Sequence, residues 1–139
     1  MFANYDFNLF PKVIVNFSEN IENNEDFNAF LNQWIQLYDQ KKDFSFIFNT
    51  TQVGFPPIKY CYKMSRFIRE LHQRDYHYLK KSVIMVKNKN VMRLLNIIFF
   101  IQPPVAPVYL TDSSFEDILN DKINILKYIE PKKPFLPFF

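Results

Sequence analysis

The chain has 139 residues, enough for one packed domain and too few for two. Its 48% hydrophobic and 19% aromatic content, with 17 Phe and 8 Tyr, excludes a disordered chain; its single cysteine, Cys61, excludes an internal disulfide and a cysteine-based zinc site, so a reducing, cytoplasmic setting is expected. The net charge of +3 is uneven: residues 1–50 carry three Lys against seven Asp or Glu, residues 51–101 carry ten Lys or Arg against two acids, and the remainder is nearly balanced.

The single Gly, with many Asn, Lys, Ile and Phe, suggests an AT-rich coding genome and would suit a large DNA virus, and part of the Phe excess is then expected to be compositional. One Gly also rules out a Walker loop and a dinucleotide fingerprint, both of which need several glycines for close approach to phosphate. Residues 1–12 contain Asp6 and no basic cluster ahead of an apolar core, so they do not read as a signal peptide. The strongest apolar run, residues 94–101, is about half of what a membrane-spanning helix needs.

In chain order, residues 5–10 alternate well enough for an edge strand, and Val13, Ile14, Val15 and Phe17 form a β-branched strand after it. Asn24 is a cap candidate for a helix in which Phe27, Phe30, Leu31, Trp34, Leu37 and Tyr38 recur at steps of three and four, marking a core face. Residues 44–48 are the next strand, closed by a polar turn at 49–52. A helix over residues 57–74 follows, with Cys61, Met64, Ile68 and Leu71 on one side and Lys59, Lys63, Arg66 and Glu70 on the other. Residues 82–86, apolar on both faces, predict a central parallel strand. Asn88 or Asn90 caps a third helix carrying Val91, Leu94, Leu95 and Ile98, and residues 108–110 form a short strand after Pro103 and Pro104. The last helix is expected from Phe115 to about residue 129, with Asp112, Ser113 and Ser114 as cap candidates. These elements predict an α/β fold over residues 1–130: one mixed, largely parallel sheet of four to five strands with about four helices, followed by a tail at 131–139.

The order of elements, the strand-to-turn passage over residues 46–53 and the segment 79–86 leading into a helix resemble the STAS domain of anti-sigma-factor antagonists and the related core of CRAL-TRIO lipid-transfer domains, over roughly residues 5–127. The resemblance implies a STAS-like fold whose small members act by docking to other proteins. The serine that takes the regulatory phosphate in that family has no counterpart, since Pro56, Pro57 and Ile58 occupy its place. Lipid transfer of the related kind would need a helical lid and a deep apolar pocket, for which no segment is left over.

Candidate chemistry is sparse. His72 and His77 would point about 140° apart on a continuous helix, so they read as surface or satisfied histidines. Cys61 reads as core, and Thr111, Asp112, Ser113 and Ser114 as capping residues. No catalytic set, cofactor or metal site is expected. The reading is a non-catalytic, STAS-like protein-interaction module, regulatory or scaffolding, with Lys59, Lys63, Arg66, Arg69 and Arg74 as candidate contact residues. The tail adds Phe135, Phe138 and Phe139, which dock on their own domain, on a second copy to make a homodimer, or on another partner. The alternative is a peripheral membrane or lipid-associated protein using the basic 59–93 surface; nucleic acid is the weaker partner, because no recognised motif accompanies the charge.

Overall fold

The computed structural model describes residues 1–131. It contains six strands, β1 (Ala3–Asp6), β2 (Lys12–Phe17), β3 (Phe44–Asn49), β4 (Leu79–Met85), β5 (Val108–Thr111) and β6 (Ile125–Ile129), and four helices, α1 (Asn24–Asp39), α2 (Lys59–His72), α3 (Lys89–Ile101) and α4 (Phe115–Leu119). The strands form one sheet in the strict order β1-β2-β3-β4-β5-β6. β2 to β5 are parallel, and the outer pairs β1·β2 and β5·β6 are antiparallel.

Strict order has a physical consequence. Crossovers between parallel strands are right-handed, and three that step the same way place their helices on one face. The buried residues agree. Phe27, Phe30, Trp34 and Leu37 of α1, Tyr60, Phe67 and Leu71 of α2 and Val91 of α3 share one core with Val13, Val15, Phe44, Phe46, Phe48, Ile84, Val108 and Leu110 of the sheet. The alternate strand positions Ile14, Ile47, Val83 and Met85 form a smaller rear core, covered by Ile118 of α4 with Phe115, Leu119 and Ile123. Because the order never reverses, the sheet has no switch point and no crevice of the doubly wound kind.

Local sequence sets most of these elements. The side chain of Asn23 accepts a 2.8 Å bond from the Asp26 amide and caps α1, one residue before the expected Asn24. Asn88 caps α3 with a 2.8 Å bond from Val91, and Ser114 caps α4 with a 3.2 Å bond from Asp117. β4 is parallel to both neighbours, as its two-sided apolar character predicts.

Several boundaries differ from the sequence reading, among them that of β4, which begins at Leu79 and not at residue 82. The edge strand is Ala3–Asp6, not 5–10, because Phe10 bonds back to Phe7 and Lys12 to Leu9, turning residues 7–12. α2 begins at Lys59, after the Pro pair. The larger correction concerns the last helix, which stops at Leu119, so the sheet has six strands and not four to five. Lys122 N bonds Asp117 O at 2.8 Å and Asp121 N bonds Ile118 O at 3.2 Å, with Asp121 left-handed at φ 59. That is a Schellman stop with Asp in the usual glycine place. The chain then covers the open edge of β5, whose unpaired backbone groups would otherwise face water. The tail residues Phe135, Phe138 and Phe139 lie outside the described residues.

Candidate functional site: a cationic face over an apolar cavity

α2 turns Tyr60, Phe67 and Leu71 to the sheet and Cys61 and Ile68 toward α3, where they meet Ile98, Leu94 and Phe99. The remaining arc carries the predicted contact residues. Lys59, Arg66, Arg69 and Arg74 are exposed. Lys63 is half-buried, with Nζ donating to Asn24 Oδ1 at 3.1 Å. The Lys59 and Lys63 ammonium groups lie 5.1 and 5.5 Å from the centre of the Tyr60 ring, and the Arg74 guanidinium lies 5.5 Å from that of Tyr38. α3 adds the exposed Lys89 and Arg93. Among the described residues the one salt bridge is Lys80 to Asp43 at 3.6 Å, so none of the α2 and α3 cations is neutralised by a carboxylate. The basic third is not one surface, however. Lys80 and Lys81 begin β4 while Lys87 follows its end, about 20 Å away at strand rise.

Sequence reasoning found Tyr62 interleaved with these cations but missed the Phe and Ile side chains among them. Phe55 is 75% exposed and Phe100 89%, and Ile58, Tyr62, Ile97 and Ile101 are also exposed. The signal was present: residues 97, 100 and 101 repeat the helical step on the side of α3 opposite Val91 and Ile98, so the helix is apolar nearly all round. One of its two apolar sides meets the sheet, and the other faces outward.

Beneath this face, between helices and sheet, lies an apolar cavity of about 160 Å³. Its wall runs from Val53, Pro56 and Val91 at the carboxyl ends of the parallel strands to Leu71, Pro104 and Ala106 at their amino ends. The space exists because positions below α2 and α3 hold small side chains. Ser82 lies between Phe46 and Val108 in a cross-strand row of the sheet. Cys61, Ala106 and Val91 close the same wall.

The other candidates are structural. Cys61 is 3% exposed, and burial pushes its thiol above the ordinary range, away from the reactive thiolate. His72 Nε2 lies 2.7 Å from Pro103 O and ties the end of α2 to the α3–β5 connection. The helix ends between His72 and His77, and no group of three or more metal-ligating side chains occurs among the described residues. Thr111 Oγ1 donates to Asn124 O at 2.7 Å and Ser113 Oγ accepts from Asn124 N at 2.8 Å, so these hydroxyls hold the β5–β6 connection. No helix among the described residues is long and apolar enough to cross a membrane. Comparison with models of protein families, with curated proteins and with solved structures finds no match to this chain in any of the three.

Proposed function

We propose that the protein is a non-catalytic, STAS-like interaction module that docks an acidic partner protein through the outer face of α2 and α3. The order of elements supports the STAS-like part of the reading. The observation that carries the docking part is the mixture on that face: Lys59, Arg66, Arg69, Lys89 and Arg93 exposed and, among the described residues, without carboxylate partners, interleaved with Ile58, Tyr62, Ile97 and Phe100. Exposed charges add little to stability, whereas they steer association and select partners. Arg and aromatic side chains are also the residue types that dominate binding energy at protein interfaces. A second reading, docking to an anionic membrane surface, is favoured by Phe55 and Phe100, two projecting rings that could enter a headgroup layer.

The test uses a photo-crosslinking side chain at the exposed Tyr62 and the triple variant K59E/K63E/R66E. A defined protein adduct that the triple variant loses, with its melting temperature retained, is the expected result. Sedimentation with phosphatidylserine-containing vesicles, without a protein adduct, would replace the partner protein by a membrane. Adducts unchanged by charge reversal would remove this face from the reading.

A further inference from the structure

We infer that the cavity between the sheet and helices α2 and α3 is a binding site for a small, neutral, apolar molecule, a single ring or a short aliphatic chain. The inference goes beyond the docking reading, because it concerns the inner side of α2 and not its outer face.

Size comes first. Natural interiors pack densely and keep few voids larger than a water molecule, yet this chain, rich in Phe, leaves about 160 Å³ unfilled. An apolar cavity of roughly 150 Å³ stays dry and accepts a benzene-sized guest, while drug-sized ligands take roughly 300 Å³ or more. By volume a long acyl chain is therefore too large, and the space matches a single ring or a short aliphatic chain.

The wall decides the chemistry. Among the described residues it contains no Lys, Arg, His, Asp or Glu, so a charged guest would lose its hydration with nothing in return. The hydroxyl of Thr50 is already donated to Met85 O and that of Tyr60 to Asn24 Oδ1 at 3.1 Å, which leaves the single hydroxyl of Ser82 on the wall to meet a guest. A guest with a strong hydrogen-bonding head finds little there. The rest of the wall is aliphatic and aromatic, including Phe30, Trp34, Phe48, Ile84, Leu95 and Ile98. Entry need not cross the packed core, since Ile21, Pro56 and Met64 on the wall are partly exposed.

The experiment uses the full chain with benzene as probe, benzoate as its charged counterpart, and Ala106→Leu as a cavity-filling variant, with the milder Ser82→Val in case the larger change prevents folding. Saturating benzene is expected to raise the melting temperature by several degrees and to shift the methyl resonances of Ile84, Val91, Leu95 and Ile98. Benzoate should do neither, and the filled variant should lose the response to benzene. No thermal shift and no methyl perturbation with benzene would overturn the inference. So would an equal response to benzoate, or a benzene response that survives filling. The vesicle and crosslinking results on the outer face are independent of each of these outcomes.

Discussion

Replacing Trp34 by alanine probes the packing that holds the helix layer on the sheet. Trp34 is 5% exposed, and its ring centre lies 4.8 Å from that of Phe46 and 5.1 Å from that of Phe67, both edge-on, with Phe48 at 5.6 Å and Phe30 at 6.0 Å. Truncating a fully buried aromatic side chain costs roughly 3–5 kcal/mol, depending on how far the neighbours collapse into the gap. Collapse is poor here, because Trp34 already borders the interlayer cavity and its removal enlarges an existing void. The upper half of that range is expected. Total stability of a domain this size is about 5–15 kcal/mol, and each kcal/mol shifts its melting temperature by roughly 3–5 °C. The midpoint should therefore fall by about 12–25 °C in thermal unfolding followed by far-ultraviolet circular dichroism, since the variant lacks the only tryptophan. Trp34→Phe, which keeps a ring against Phe46, should lose less than half as much. A fall below about 3 °C for the alanine variant would refute the packing argument.

Charge reversal in K59E/K63E/R66E should change stability by no more than about 1.5 kcal/mol, because the three cations are exposed or half-buried and form no salt bridge among the described residues; a cooperative transition lost in urea would show that the face is misplaced. Asn88→Ala removes both the cap bond from Val91 and a 2.8 Å bond donated to Val53 O, so the urea midpoint should reflect a loss of about 1–2 kcal/mol, and an unchanged midpoint would contradict it. Alkaline pH should weaken the fold through two buried tyrosines. Burial raises Tyr38 from 10.0 to about 12 and pushes Tyr5, whose hydroxyl donates to Phe30 O at 2.7 Å, well above its ordinary range. Both stay protonated in the fold and ionise more readily when unfolded. Their contribution is thus complete below pH 10.0 and declines as pH rises toward 12, by up to roughly 1.4 kcal/mol per pH unit for each ring. Urea midpoints that stay flat over that range would refute this account.

The sequence carried the candidate contact residues of α2 and the core role of Cys61, because the 3.6-residue period of one helix separates its inner from its outer side. It could not carry the cavity. That space is the sum of volumes contributed by Cys61, Ser82, Val91 and Ala106, which are far apart along the chain and meet only when three crossovers stack their helices on one face. It likewise missed the outward apolar side of α3, since a helix with two apolar sides does not say which one the sheet will cover.

Local patterning by itself determined the core side of α1 through Phe27, Phe30, Trp34 and Leu37 and the central parallel place of β4, and it narrowed the caps of α3 and α4 to the few candidates among which Asn88 and Ser114 make the bonds. These follow from interactions within a turn or two of chain, or from the number of apolar faces a segment must hide. Tertiary structure alone decided that residues 125–129 are a strand. Ile118, Leu119, Ile123 and Leu126 satisfy a helical period, yet the chain stops the helix at Asp121 and spends the rest on the edge of β5. The unpaired donors and acceptors of that edge belong to a partner strand 14 to 21 residues earlier, from Thr111↔Ile125 to Val108↔Ile129, so no periodicity in the last segment could announce them.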